Sequence, residues 1–211
     1  MTRTEILDKI FTHKLMAILR ILESQKVQPA AKAIMEAGIE VLEITLNSTN
    51  ALEHIKQLRK TSPIHVLIGA GTVISSKDAA NAAESGAQFI VTPIFKSEII
   101  KTAHSYGIPV FMGAMTPTEI LSAWEAGADV IKVFPASAMG IGYFKAVKGP
   151  LDKIPLMPTG GVNIENAEEW LSLGAVALGL GSSLVHKEDL RLEAYDKVKM
   201  KAKAFLTQVH G

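Results

Sequence analysis

Short apolar runs alternate with longer amphipathic segments along nearly the whole chain, and this alternation limits the possible folds more than any other feature. Between the runs lie segments with the apolar spacing of helices. Strands that alternate with helices predict βαβ units around a parallel sheet. The predicted strands are 15–19, 41–46, 66–70, 89–92, 110–112, 130–134, 156–158 and 176–180. The predicted helices include 29–37, 50–60, 77–85, 97–106, 117–126 and 167–173.

Eight such units within 211 residues predict a compact (β/α)₈ barrel that forms a single domain over 1–211. Glycines that follow the helical segments, at 38, 86, 107, 127 and 174, are placed to end helices in the left-handed conformation. The alternative is an open doubly wound sheet, which usually has a G-x-G-x-x-G turn after its first strand. Here the first strand ends Leu19-Arg20-Ile21 without glycine, which favours the barrel. We expect a helix before Lys14 to cover the bottom of the barrel and a closing helix from Lys187 onward.

Composition excludes several classes of function. The net charge of +1 provides no electrostatic footprint for nucleic acid or an acidic membrane. No apolar run is long enough to span a bilayer, and the first residues lack the pattern of a signal peptide. The absence of cysteine excludes thiolate chemistry and fits a reducing compartment, so we expect a cytoplasmic protein. The six histidines are dispersed without metal-ligand spacing, so no metal and no other cofactor is expected.

Lys132 lies in the middle of an apolar, β-branched strand, where a charged ammonium is costly to bury. Burial favours the neutral amine, which is a nucleophile that forms a Schiff base with a ketone. The alternatives are a lysine whose end reaches water and a structural ion pair with Glu43 of the second strand. A buried ion pair gains little over apolar packing, so stability alone is a weak reason for either residue.

Polar or small residues mark the C-terminal ends of the predicted strands, which is where barrel enzymes have their active sites. Each has an ordinary structural explanation by itself, such as a rim ion pair for Arg20 or a simple turn for Gly160-Gly161. Their occurrence on one rim favours an active site. The candidate residues are Arg20, Glu43, Thr72, Pro93, Lys132, Phe134, Thr159, Gly160, Gly161, Gly181 and Ser182.

Two glycine-containing loops predict an anion site. Thr159-Gly160-Gly161 ends the seventh strand and Gly181-Ser182 ends the eighth. The loops after these two strands form the usual phosphate site of (β/α)₈ barrels, where bare backbone N–H groups cradle the anion. We therefore expect a phosphorylated small-molecule substrate.

These residues resemble the bifunctional 2-keto-3-deoxy-6-phosphogluconate (KDPG) and 4-hydroxy-2-oxoglutarate (KHG) aldolases, which are class I aldolases. The likeness extends from Ala17 to about Val185. The matching motifs are Leu42-Glu43-Ile44-Thr45, Gly69-Ala70-Gly71-Thr72-Val73, Thr92-Pro93, Met115-Thr116-Pro117-Thr118-Glu119, Lys132-Val133-Phe134-Pro135, Pro158-Thr159-Gly160-Gly161-Val162 and Gly181-Ser182.

The resemblance implies a retro-aldol cleavage that releases pyruvate, and a homotrimer. It implies that Lys132 forms the Schiff base and that Glu43 is the general acid–base. It further implies that Arg20 and Thr72 bind the carboxylate of the substrate and that the two glycine loops hold phosphate. We expect Phe134 to keep the imine dry and Pro93 to shape the pocket.

One position departs from the family. Some members carry an arginine shortly after the glutamate that helps bind the carboxylate, and Asn47 occupies that position here. Substrate preference therefore stays open, including preference for the galactonate-derived stereoisomer. A phosphosugar isomerase, epimerase or decarboxylase on the same barrel is a second hypothesis, and a non-enzymatic phosphate-binding barrel is a third.

Overall fold

The computed structural model describes residues 1–211 and arranges eight parallel strands inside a layer of helices. The hydrogen-bonded order of the strands is β7-β6-β5-β4-β3-β2-β1-β8, and bridges from Leu156 to Ala175 and from Thr159 to Gly179 bring the two ends together. The sheet is thus a (β/α)₈ barrel rather than an open sheet. The strands are β1 (Leu15–Leu19), β2 (Val41–Thr45), β3 (Leu67–Gly71), β4 (Ile90–Val91), β5 (Val110–Ala114), β6 (Val130–Val133), β7 (Leu156–Pro158) and β8 (Leu178–Leu180).

Ten α-helices and one 3₁₀ turn, Ser24–Lys26, connect and cover the strands. The five glycines predicted to end helices all have left-handed backbone, with φ between 72° and 111°. None of the helices combines the length and apolar character required to cross a bilayer. The helices are α1 (Arg3–His13), α2 (Val27–Ala37), α3 (Ala51–Thr61), α4 (Ser76–Glu84), α5 (Ser97–Ser105), α6 (Pro117–Glu125), α7 (Ala136–Lys148), α8 (Ala167–Ser172), α9 (Lys187–Arg191) and α10 (Tyr195–His210).

Two helical regions differ from the sequence prediction. α7 was not predicted, because its glycines obscure the helical pattern, and Gly140 indeed has non-helical backbone with φ 75° inside it. The segment from Lys187 onward contains two helices instead of one closing helix. They are separated at Glu193, whose φ of 53° is incompatible with a continuous right-handed helix.

The bottom of the barrel is closed by α1, as predicted. Thr2 and Glu5 form a reciprocal capping box that fixes the start of this helix. Ile6 and Ile10 on its inner face pack against the inward residues of the strands, including Met16. Since the lower half of the interior is filled by apolar side chains, polar groups inside the barrel lie only toward its C-terminal mouth.

Candidate active site

Lys132 on β6 and Glu43 on β2 both point into the upper part of the barrel and are almost completely buried. The distance from Lys132 Nζ to Glu43 Oε2 is 3.9 Å, and the two side chains are 7% and 1% exposed. This distance is too long for a hydrogen bond, and Glu43 Oε2 has no hydrogen-bond partner in the protein. A structural ion pair that is buried normally satisfies its oxygens, so this geometry argues against a purely stabilising role.

Burial shifts the pKa values of both groups in the direction that favours their uncharged forms. It lowers the pKa of the Lys132 ammonium, and the opposing charge of Glu43 is the smaller effect. It raises the pKa of the Glu43 carboxyl, against the smaller opposing effects of Lys132 and Arg20. The site therefore favours a neutral amine next to a carboxyl group that can hold a proton, which is the pairing that nucleophilic addition to a ketone requires.

Two glycines of β3 leave the space that Glu43 and Phe89 occupy inside the barrel. A β-carbon on Gly71 of β3 would overlap the Glu43 carboxyl group. A β-carbon on Gly69 would overlap the ring of Phe89 one layer below. The Gly69-Ala70-Gly71 sequence is thus required by packing inside the barrel, a role that the sequence alone did not reveal.

A cavity of about 270 Å³ opens above Lys132. It brings together most of the predicted site residues, from four different strand ends. Its walls are Ile18, Arg20, Lys132, Phe134, Thr159, Gly160, Gly181, Ser182, Val185 and Lys187. Phe134 covers the amine, with its ring centroid 5.2 Å from Lys132 Nζ.

The predicted anion cradle is a second cavity of about 220 Å³ that shares Gly160, Gly181 and Ser182 with the first and adds Gly161. Gly160 and Gly161 both have left-handed backbone, with φ of 88° and 80°. Asn166 Nδ2 donates a hydrogen bond of 2.9 Å to the Gly161 carbonyl and holds this loop. The backbone N–H groups of Gly161 and Ser182 have no acceptor within the protein, so they are available to an anion.

Thr159 contributes an unsatisfied hydroxyl to the wall of the cavity. The residue is 4% exposed, and its Oγ1 atom has no hydrogen-bond partner. The absence of a side chain at Gly179 of β8 leaves the space that this hydroxyl occupies. A buried hydroxyl without a partner is costly, which indicates that a bound molecule completes it.

Thr72 and Pro93 do not line the cavity above Lys132. Thr72 follows Gly71 and is half-buried, and its φ of 57° is strained for a β-branched residue. Pro93 crosses closely over Gly113 of β5. The hydroxyl of the buried Thr92 accepts a hydrogen bond from Gly113 N at 2.9 Å and donates one to the Ile94 carbonyl at 2.6 Å, which fixes that crossing.

Sequence reasoning missed Lys187, which lies in the wall of the cavity. In the sequence this lysine looks like one more surface residue at the start of a helix, and no local signal distinguishes it. Asn47 is exposed and lies outside the wall of the cavity.

A (β/α)₈ barrel with an amine and a carboxyl group buried together below its mouth fits an enzyme that forms a Schiff base, and its relatives are aldolases, which are lyases. The comparisons with known proteins give the family. The chain belongs to the KDPG and KHG aldolase family, whose family model matches residues 6–201.

Individual relatives cover most of the chain. The 2-dehydro-3-deoxy-6-phosphogalactonate aldolase of Escherichia coli K12 is 40% identical over 171 residues, 81% of this chain and 83% of the relative. The 2-dehydro-3-deoxy-phosphogluconate aldolase of Haemophilus influenzae is 31% identical over 93% of each chain. A KDPG aldolase structure from Legionella pneumophila, with pyruvate captured as a covalent carbinolamine intermediate, superposes with a TM-score of 0.86. That chain is 30% identical, and the match covers 93% of this chain and 96% of that one.

Proposed function

We propose that this protein is a class I aldolase that cleaves KDPG to pyruvate and glyceraldehyde 3-phosphate, and KHG to pyruvate and glyoxylate. The observation that carries the proposal is the buried Lys132 amine, 3.9 Å from a Glu43 oxygen that has no other partner. The relatives named KHG/KDPG aldolase, such as that of Escherichia coli at 34% identity, support the same pair of substrates.

The first half of the reaction forms the imine. The neutral amine of Lys132 attacks the C2 ketone of the substrate, and the carbinolamine loses water to give a protonated imine. Glu43 is the acid that protonates the departing hydroxyl, because its raised pKa keeps a proton available. Phe134 at the mouth of the amine pocket limits the access of water to the imine.

The second half of the reaction breaks the carbon–carbon bond. Glu43, now ionised, removes the proton of the C4 hydroxyl directly or through a water molecule. The C3–C4 electron pair moves into the imine, the aldehyde leaves, and an enamine remains. The enamine takes a proton at C3 from Glu43, and hydrolysis releases pyruvate and the free amine of Lys132.

The two ends of the substrate bind to different strand ends. Arg20 and Thr72 hold the keto-acid carboxylate, and the loops at Gly160–Gly161 and Gly181–Ser182 hold the phosphate. The Thr159 hydroxyl, which has no partner in the protein, forms a hydrogen bond with a substrate hydroxyl that lies between these two ends. Pro93 shapes the opposite side of the mouth.

A galactonate-derived stereoisomer is a second candidate substrate. The observation that favours it is the 40% identity to the phosphogalactonate aldolase of Escherichia coli, against 31% to 34% for three of the phosphogluconate relatives. Measuring pyruvate release from both C4 epimers distinguishes the two.

We also propose that the enzyme is a homotrimer, as its resemblance to the family implies, and that it is cytoplasmic, which its lack of cysteine supports. Exposed apolar side chains that follow β3 and β4, Ile74 at 50% and Ile94 at 41%, support burial against another chain. Light scattering should give three times the 22.7 kDa mass of one chain. A monomeric mass at micromolar concentration would contradict the trimer.

Covalent trapping tests the proposed chemistry. Incubation with pyruvate and borohydride should attach one reduced pyruvyl group per chain, located at Lys132 by peptide mass spectrometry. Lys132→Met should fold, take no label and lose several orders of magnitude in kcat. Lys26→Met is the matched control, because Lys26 is the other buried lysine and pairs with Glu23 outside the site. Label on another lysine, or none, would overturn the imine mechanism and favour an isomerase or a binding protein.

A further inference from the structure

The cavity above Lys132 has an uneven distribution of charge. Its wall contains three cationic side chains, Arg20, Lys132 and Lys187, and no acidic one. Burial favours the neutral form of Lys132, which leaves Arg20 and Lys187 as the two fixed charges. Neither of these two takes part in any ion pair of the protein. Both residues are exposed to solvent at the mouth, so each is free to pair with a negative group of a bound ligand.

Lys187 belongs to the phosphate end of this cavity. It is the first residue of α9, directly after the loop that carries Gly181 and Ser182. The amides of Leu184 and Val185 both donate to the Gly181 carbonyl, at 3.0 and 2.9 Å, and so tie this loop into a compact turn. Lys187 begins α9 two residues after this turn and so lies next to the cradle in the chain, whereas Arg20 follows the end of β1.

The cradle itself provides no full positive charge. Its walls are Gly160, Gly161, Val162, Asn163, Gly181, Ser182 and Ser183, all uncharged. Backbone N–H groups and hydroxyls can satisfy the oxygens of a phosphate, but a phosphate monoester near pH 7 carries close to two negative charges. A cation beside the cradle would balance part of this charge and would discriminate a phosphorylated substrate from an unphosphorylated one.

We propose that Lys187 is a specificity-determining residue whose ammonium group pairs with the phosphate of the substrate. The inference rests on the proposed aldolase function and adds a residue to its phosphate site. Arg20 then serves the carboxylate that all substrates share. Loss of Lys187 should therefore impair only the phosphorylated substrate, whereas loss of Arg20 should impair both substrates.

Steady-state kinetics with KDPG and KHG test this division. Lys187→Met should lower kcat/KM for KDPG about tenfold, mainly through KM, because one partly exposed charge-assisted contact is lost. KHG has no phosphate, and its kcat/KM should change less than about twofold by the same reasoning. Lys187→Arg should restore most of the KDPG activity. Arg20→Ala should reduce kcat/KM for both substrates alike.

Calorimetric titration with inorganic phosphate gives a readout that does not depend on aldol cleavage. Phosphate should bind the Lys187→Met variant more weakly than the wild type and bind the Arg20→Ala variant nearly as well. Lys153→Met is the control, because Lys153 is exposed and makes no ion pair or side-chain hydrogen bond. Unchanged KDPG kinetics and phosphate affinity in Lys187→Met, or equal losses on KDPG and KHG, would overturn the assignment. A wild type that cleaves neither substrate but binds phosphate through Lys187 would instead refute only the proposed function.

Discussion

Thr72 has a backbone conformation that its side chain disfavours. It is the β-branched member of the four non-glycine residues with positive φ, and its hydroxyl makes no hydrogen bond within the protein. Strain of this kind costs about 1–3 kcal/mol and persists where function requires it. We expect Thr72→Gly to keep or raise the free energy of unfolding, by up to about 1 kcal/mol after the entropy cost of glycine.

The same substitution should reduce catalysis, because it removes the hydroxyl that we propose binds the substrate carboxylate. We expect kcat/KM for both KDPG and KHG to fall about 10- to 100-fold, the usual effect of losing a hydrogen bond to a charged group. Thr72→Ser is the control, since it keeps the hydroxyl and should keep most of the activity. Wild-type kinetics in Thr72→Gly would mean that this residue has only a structural role.

The sequence identified individual residues best where their chemistry conflicts with their surroundings. Lys132 and Glu43 are charged residues inside apolar strands, so their local sequence already indicates a special role. Lys187 and Gly71 give no such signal. The role of Lys187 depends on which side chains meet above the barrel, and that of Gly71 on the bulk of Glu43 on the next strand, so both required the three-dimensional structure.

At the scale of elements, the loops after β7 and β8 differ in how well they accommodate a substitution that tests the phosphate cradle. A side chain at Gly161 would overlap Ser137 at the start of α7, and its φ of 80° disfavours any β-carbon. A β-carbon at Gly181 would meet no atom within 4 Å, and its backbone is not left-handed. Gly161→Val would therefore disturb folding and binding together, whereas Gly181→Val adds bulk only to the cavity.

We expect Gly181→Val to raise KM for KDPG by at least about tenfold, because the isopropyl group occupies the space of the phosphate. KM for KHG should change much less, and the melting temperature should stay close to that of the wild type. Gly142→Val provides a comparison on α7, where an added β-carbon also meets no neighbour but lies outside both cavities. Equal KM changes for the two substrates in Gly181→Val would mean that phosphate binds elsewhere.

Most elements followed from the apolar periodicity and the glycines that end helices. Every predicted strand exists, although β4 is reduced to Ile90–Val91. The end of β4 could not be predicted, because Gly113 N donates its hydrogen bond to the Thr92 hydroxyl and not to a backbone carbonyl of β4. α7 was missed for a similar reason, since the bend at Gly140 is visible only in the backbone.

In the molecule as a whole, the C-terminal mouth of the barrel serves binding and the opposite end serves stability. The mouth holds strained or unsatisfied groups, such as Thr72, Thr159 and Glu43, which reduce stability and prepare a binding site. The opposite face holds the contacts that stabilise the closed barrel, including the ion pair of Arg3 with the buried Asp129, 3.3 Å apart. Stability should therefore respond to conditions that disturb the bottom of the barrel.

Acid is such a condition, and it should act through His13 at the end of α1. The Nε2 atom of this half-buried ring accepts a hydrogen bond of 3.0 Å from the backbone N–H of Glu40. Burial lowers the pKa of His13 to about 4, and the neighbouring His210 and Lys9 add to this while the Glu40 carboxylate opposes it. A protonated ring could not accept the hydrogen bond, so the folded state resists protonation.

The sign of the pH dependence follows from this lowered pKa. Well above pH 6.5 the ring is neutral in both the folded and the unfolded state, so His13 contributes no pH dependence to stability there. As the pH falls from 6.5 to 4 the unfolded chain binds the proton and the folded chain does not. The free energy of unfolding should therefore decrease across this window, by about 1–3 kcal/mol after allowance for the partly exposed ring.

Urea unfolding at a fixed protein concentration between pH 7.5 and 4 measures this loss. His13→Gln keeps an acceptor for the Glu40 amide but does not titrate, so its stability should fall less than that of the wild type across the window. His65→Gln, at an exposed position, should retain the wild-type pH dependence. If wild type and His13→Gln lost stability in parallel between pH 6.5 and 4, the acid sensitivity of the barrel would have to come from its carboxylates instead.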